Sequence, residues 1–481
     1  MSHFRVAVIG GGISGICAAI YLTKAGIDSF AVFEKYSDVG GTWRDNRYPG
    51  VECDVPSHLY SYSFELKPDW SREYPPGAEI HQYLRDTVVK YGVGDHLIMD
   101  TAIVRGDFAD GCWTLQSADG RSWTADVVIS AMGGLHTPNI PDFPGLSDFA
   151  GDSFHTARWP DDVDLAGKRV VMVGTGATAV QCGPKIAEIA RHLTVFQRTP
   201  VWVGPKQNPS ITQEEIERLR RDPVALRRKR WELWRGWETT GLEMVTEGSR
   251  VNRRSEAMAL DNIVSNVDDE ALRQALTPEY NYTCKRPTIS NVYYPMFERD
   301  NVDLVTAGVD RVEPDAVIAT NGKRVEADAI VLATGFRSFD ITSEIDLRNG
   351  EGRSLRDIWA GQITNYRSLM APDMPNLFFL LGPNTAGLTS SYQMIEPASA
   401  WIVRMLDHMQ ANAIREVKPR QIEVERFRDD VLRRFRTTTQ NKGCTSWWTD
   451  DNGYPHANWP GSSISYRQMM TQFEPRHFEF S

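Results

Sequence analysis

At 481 residues, 41% of them hydrophobic and 24% charged, the chain has the composition of an ordinary globular protein, with room for two or three cores. A formal net charge of -10 argues against a nucleic-acid partner. The apolar runs are shorter than a membrane span, and the few residues before the first strand leave no space for a secretory leader. A soluble cytoplasmic protein is therefore expected.

Cys17, Cys53, Cys112, Cys182, Cys284 and Cys444 stand apart in sequence, without a C-x-x-C pair. That spacing supports neither a metal site nor a redox disulfide beside a cofactor, and scattered thiols fit a reducing compartment.

Residues 4–9 are apolar and β-rich, as in a buried parallel strand. Gly10-Gly11-Gly12-Ile13-Ser14-Gly15 follows, opening an Ala/Leu-rich helix. This is a strand–G-x-G-x-x-G–helix unit. Gly10 makes the tight turn, Gly12 lets the backbone approach a pyrophosphate, and Gly15 permits close helix packing. Ser14 lies in the first turn, where the positive end of the helix faces phosphate. A second strand ends at Glu34, whose carboxylate can accept ribose hydroxyls. The loop alone leaves FAD and NAD both open.

From Gly40 to Asp54 the chain supplies glycines, Gly41-Thr42-Trp43, a Tyr48-Pro49-Gly50 turn and a terminal carboxylate. The stretch suits a loop around a large planar ligand. On their own, Trp43 also reads as core filler and Asp54 as a turn or helix cap. An amphipathic helix over 78–91 precedes strands at 98–108, 112–117 and 122–130, and Pro138, Pro141 and Pro144 mark a domain exit.

Residues 149–160 read as a loop, yet carry Phe149, Phe154, His155 and Trp159. Just beyond lies Gly174-Thr175-Gly176-Ala177-Thr178-Ala179 between a strand and a helix, a second dinucleotide fingerprint with Ala179 in the third glycine's place. Arg198 follows Gly174 at the interval that separates Glu34 from Gly10. An acid there would repel a 2′-phosphate; Arg198 and Thr199 can bind one, so NADPH is expected over NADH. Two such units imply hydride traffic between two cofactors, and the acid-bearing site is most economically that of FAD.

Phe149-x-Gly151-x-x-x-His155-x-x-x-Trp159-Pro160 resembles the fingerprint of type I Baeyer–Villiger monooxygenases, and Gly41-x-Trp43 through Tyr48-Pro49-Gly50 to Asp54 resembles a second signature of that family. Related flavin-containing monooxygenases carry Tyr or Phe where Trp159 stands. The resemblance implies that NADPH reduces FAD and that O2 then forms a C4a-peroxyflavin. That species attacks a ketone, and rearrangement gives an ester or lactone. It also implies that His155 and Trp159 couple NADP binding to domain rotation.

Residues 211–278 read as charged helices, Glu214–Arg221, Val224–Trp237 and Glu256–Leu276. Their basic run beside Trp231, Trp234 and Trp237 is a solvated face with an indole-lined packing side rather than a nucleic-acid site. Lys285 and Arg286 are adjacent in extended chain and so point to opposite sides. Spacing alone leaves them open to a surface reading. The resemblance puts the active-site arginine at this step, with Lys285 toward the NADPH 2′-phosphate and Arg286 toward the flavin. A permanent cation there keeps a peroxide deprotonated and stabilises a developing oxyanion, and Asp54 is expected to orient it by a charge-assisted hydrogen bond.

Ala333-Thr334-Gly335 resembles the family's return to the FAD domain. The expected architecture is α/β, with two Rossmann-like dinucleotide-binding domains and the NADP domain inserted in a discontinuous FAD domain. The boundaries are 1–145 for the first FAD part and 146–325 for the NADP domain with its helical insert. Residues 326–481 form the second FAD part and tail. The Gly382-Pro383-Asn384-Thr385 turn is expected near the flavin ring. The tail, with Trp447-Trp448 and Trp459-Pro460, resembles 4-hydroxyacetophenone monooxygenase-like members of the family. The rival readings are a flavin N- or S-oxygenase and a plain NADPH–flavin reductase.

Overall fold

The computed structural model describes all residues except Phe339, Leu388, Asn441 and Asp451, together with the side chain of Ile341. The first apolar run forms the strand Ser2–Ile9, whose last four residues are buried on both faces. It pairs in parallel with Phe30–Phe33 on one side and Ser122–Ser130 on the other. Cys112–Ser117 and Ile103–Ala109 extend the same sheet antiparallel. The strands read from 98 to 130 thus belong to the dinucleotide sheet, which has eight strands among the described residues. Asp346–Arg348 and Leu377–Phe379 return to it from the C-terminal third.

The second sheet has five parallel strands, in the order Val302–Val305, His192–Phe196, Arg169–Val173, Ala329–Leu332 and Asp152–His155. Its β-branched strands are buried on both faces, against the helix Ala177–Ile189 on one and a three-stranded antiparallel sheet, Val309–Glu313, Ala316–Ala319 and Arg324–Glu326, on the other. The boundary expected at 325/326 needs correction. Ala329–Leu332 is wedged between two strands of this sheet, so the chain leaves the second domain only after Leu332.

Four helices form the insert, Gln213–Arg221, Pro223–Val245, Arg250–Val264 and Glu270–Leu276. The expected single helix 256–276 is broken because Asp269 caps a new one, accepting the Leu272 N–H at 2.7 Å; such a cap contributes about 1 kcal/mol. Of the insert's indoles, Trp231 is exposed, whereas Trp234 and Trp237 pack on the core of the first domain. Tyr392–Ala411 buries Trp401, Ile402 and Met405 in that same core and packs on the helix Ile13–Lys24. Among the described residues, no helix is long and apolar enough to cross a membrane.

Candidate active site

The two sheets bring the C-terminal ends of their strands to one cavity of about 570 Å³. Gly10, Gly12, Ser14 and Glu34 line it from the first loop, and Gly41, Thr42, Trp43 and Asp54 from the wrapping segment. Ala177 and Thr178, at the start of the helix Ala177–Ile189, line it from the second loop. Arg286, Thr385 and Trp447 complete the wall. Ligands of open α/β sheets bind at this edge.

The loop is shaped for a dinucleotide. Gly10 has φ +109°, and a Cβ on it would press on the Ala131 carbonyl. A Cβ on Gly15 would overlap the Gly10 carbonyl, while Gly12 has nothing nearer than 3.7 Å and leaves its backbone open to a ligand. Gly176 is equally open in the second loop. Glu34 is buried, accepting the Gly11 N–H at 2.7 Å and pairing with Arg44 at 2.8 Å. Trp43 donates its indole N–H to the Tyr60 hydroxyl at 3.1 Å and presents its side to the cavity, so it is a wall rather than core filler.

Asp54 and Arg286 share the cavity, but the expected hydrogen bond between them is not the one formed. Asp54 instead accepts from Lys206 Nζ at 3.4 Å, and Arg286 makes no ion pair with any described residue. The reason lies in the local fold. Lys206 leaves the short strand Val203–Gly204 and dips inward, its ammonium almost fully buried. All three of its protons find acceptors, Glu52 at 2.8 Å, the Cys53 carbonyl at 3.3 Å and Asp54. Arg286 approaches from beyond Cys284 and stays exposed at the cavity rim. Its charge still reaches inside: burial pushes the Cys53 thiol up to about 12, with Arg286 and Lys206 pulling the other way.

Lys285 and Arg286 diverge, though through a bend after the Tyr282–Thr283 turn rather than the extended chain expected. Lys285 stands beside Arg198; burial and then the Arg198 charge hold its ammonium below the usual lysine range. Two cations thus converge outside the first cavity, where Arg198 lines a separate surface depression with Gln197 and Thr306. Thr199 contributes its carbonyl, which accepts from the Thr175 hydroxyl at 2.8 Å.

His155 is buried between the domains' connecting strands. Its Nε2 donates to the Gly335 carbonyl at 2.9 Å, and its Nδ1 accepts the Ala157 N–H at 3.1 Å. Burial lowers its pKa, so the ring is neutral with the proton on Nε2. Trp159 packs edge-on to Phe154 at 5.0 Å. Between them Arg158 reaches Asp45 at 4.0 Å, and Arg47 reaches Asp161 at 2.7 Å. The segment therefore touches both the second sheet and the wrapping loop.

These features match known proteins along the whole chain. The family model for pyridine nucleotide-disulphide oxidoreductases matches residues 4–231. A Baeyer–Villiger monooxygenase of Streptomyces coelicolor is 39% identical over 482 residues, 99% of this chain and 92% of that protein. The chain belongs to the Baeyer–Villiger monooxygenase family. Cyclohexanone monooxygenase from Rhodococcus sp. Phi1 bound to NADP+ superposes with TM-score 0.90 at 28% identity, over 100% of this chain and 99% of that one. OTEMO complexed with FAD and NADP gives 0.90 at 26% identity, over 99% of both. The protein is a flavoprotein monooxygenase using FAD and NADPH, and its glycine-loop geometry fits both.

Sequence reasoning missed several residues of this monooxygenase site. Lys206 follows Pro205 just past a strand's C-terminal end, a position that signals ligand proximity but not its inward course. Arg44 binds Glu34 and stacks its guanidinium over Tyr36 at 4.1 Å. Cys284 and Cys444 form a disulfide across 160 residues, which corrects the reading of six scattered thiols; no local spacing announces so distant a pair. Neither cysteine lies in the matched 4–231 region. A His3, Cys112 and Asp126 cluster has ligand atoms within 4.8 Å of one another, but it sits at the N-terminal end of the first strand, away from the cavity.

Proposed function

We propose that this Baeyer–Villiger monooxygenase converts a ketone to an ester or lactone with Arg286 as the cation at the reacting oxygen atoms. The observation that carries this is the shared cavity: Arg286 lies on the same wall system as the first glycine loop and the start of the second loop's helix. FAD, reduced by NADPH, supplies the oxygen-activating chemistry when bound. The chain's residues supply position and charge. Ser14 and the backbone at Gly12 receive the pyrophosphate, Glu34 the ribose, and Trp43 and Asp54 flank the ring. The Arg286 guanidinium stabilises negative charge developing on oxygen. Asp54, held by Lys206, keeps a carboxylate in the same cavity as that guanidinium. Arg198, Thr199 and Lys285 select the 2′-phosphate of NADPH, with Gly174, Thr175, Gly176, Ala177 and Thr178 holding its pyrophosphate.

His155 and Trp159 couple nucleotide binding to domain movement, supported by contacts of their segment with both domains. The tail resemblance points to acyclic and aryl ketones. Four unpaired thiols, Cys17, Cys53, Cys112 and Cys182, support a cytoplasmic setting.

The test is aerobic turnover of the Arg286→Ala holoenzyme over a ketone panel, with products read by mass. NADPH consumption and peroxide release continue while ester formation falls at least about 10²-fold, the scale of losing one charge-stabilising donor. Ester yield equal to the unmodified enzyme's would remove Arg286 from the chemistry. Products from sulfides alone would favour the N- or S-oxygenase reading.

A further inference from the structure

The disulfide joins two walls of the cavity. Cys284 is buried two residues before Arg286, and half-buried Cys444 lies three residues before Trp447; both Arg286 and Trp447 line the cavity. The link sits in a small cluster of Trp202, Ala259, Tyr280 and Tyr282 under the helical insert. Upstream, the tail is held to the insert by the Thr439–Thr283 hydroxyl pair, by the Thr439 N–H to Val245 at 2.9 Å, and by the Lys442–Glu247 ion pair. Downstream, the Asn384 and Ala386 N–H groups donate to His456 and Ala457 at 2.6 and 2.9 Å. The stretch carrying Trp447 spans these two anchorages, and the sulfur bridge fixes its entry.

We propose that Cys284 and Cys444 are a reversible redox site whose oxidised form ties the tail over the flavin cavity and whose reduced form loosens it. The co-reactant is a small dithiol or a dithiol protein. Its thiolate attacks Cys444, the more accessible sulfur, and the Cys284–Cys444 bond breaks as a mixed disulfide forms. The second thiol of the reductant resolves that bond. Two electrons and two protons pass to Cys284 and Cys444, and the reductant leaves as its disulfide. Reoxidation reverses these steps with a disulfide oxidant. The other four cysteines cannot substitute, since Cys17, Cys53 and Cys182 are buried and Cys112 lies beside His3 and Asp126, at the end of the first strand away from the cavity. Disulfides of reducing compartments are as a rule transient and sensing, which suits a bridge beside the working site. Loosening Trp447 and Arg286 admits water and lets reduced flavin discharge without product. The inference rests on the reading of this cavity as the flavin and ketone site.

The experiment uses the full-length holoenzyme, equilibrated in air or treated with dithiothreitol, with Cys444→Ser alongside. Alkylation under denaturing conditions counts thiols by mass, limited proteolysis reports on 443–461, and ester per NADPH reports coupling. Four alkylated thiols become six on reduction. Cleavage in the tail speeds by about tenfold, as expected when a local opening is no longer tethered, and ester per NADPH falls severalfold. Cys444→Ser behaves as the reduced enzyme and ignores dithiothreitol. Six thiols in the air-equilibrated enzyme overturn the proposal, as does a rise from four to six with cleavage and coupling unchanged. Thiol count and cleavage need no turnover, so a failure of ketone oxidation in every sample would sink the functional reading and leave this result legible.

Discussion

The two glycine loops are the same turn put to different uses. Gly10 and Gly174 have φ +109° and +113°, and each lies so close to a neighbouring strand, at Ala131 and Ala333, that a side chain has no place. Beyond that turn they part. Gly15 touches the first turn's carbonyl, whereas Ala179 carries a fully buried Cβ at the matching position. The first strand pair ends in a buried carboxylate, already tied to Gly11 and Arg44; the second ends in exposed Arg198 beside Lys285. Backbone geometry therefore follows from the sheet, while helix spacing and charge follow from the ligand.

The strongest way to break this comparison is Gly15→Ala. It makes the first loop match the second at its last position, yet its Cβ overlaps the Gly10 carbonyl, and neither backbone can yield without moving the helix. We expect purified protein with almost no bound flavin, read from the ratio of flavin to protein absorbance. Normal flavin content would mean that the first helix can stand off as the second does.

Arg198→Ala is next in size. Losing charge-assisted hydrogen bonds to a phosphate costs about 1.5–3 kcal/mol, or roughly ten- to more than hundredfold in kcat/KM for NADPH, with little change for NADH. A variant that loses both cofactors equally would show that Arg198 shapes the fold rather than choosing the nucleotide.

What could be read beforehand was what repeats locally. Both glycine turns, the acid and the guanidinium at equal intervals, and the opposite facing of Lys285 and Arg286 are properties of strands and turns a few residues long. The missing parts are those joined only by the fold. Lys206 reaches Asp54 from 152 residues away, and Cys284 meets Cys444 across 160. Adjacency in sequence could show that Arg286 turns from Lys285, but not that a buried lysine had already taken Asp54. Likewise, the strand Ala329–Leu332 reads as the start of the returning domain because a glycine turn follows it. Only pairing to Asp152–His155 and Arg169–Val173 places it in the second sheet.

A smaller effect separates the segment between the loops from both. Because burial depresses the His155 pKa, the unfolded chain binds this proton more readily than the native one. Its contribution is complete above the ordinary histidine pKa of about 6.5 and is lost as pH falls through the depressed folded value. Denaturant titrations at pH 7.5 and 5 should show wild type losing more stability than His155→Gln on acidification. Equal losses would mean that the ring titrates freely and does not anchor the segment.

The smallest effect expected is at Ala179, and its size is what sharpens the contrast with Gly15. The residue lies in the first turn of Ala177–Ile189, with its methyl in the second domain's core. Ala179→Gly removes that methyl and adds backbone freedom, costing about 1 kcal/mol by helix propensity. The turn at Gly174 is held by Ala333 and not by residue 179, so NADPH binding should change less than about twofold. Thermal unfolding and KM for NADPH check the two halves separately. A large rise in KM would mean that the alanine sets the helix's distance from the pyrophosphate, making the third position of both loops a ligand contact and not merely a packing choice.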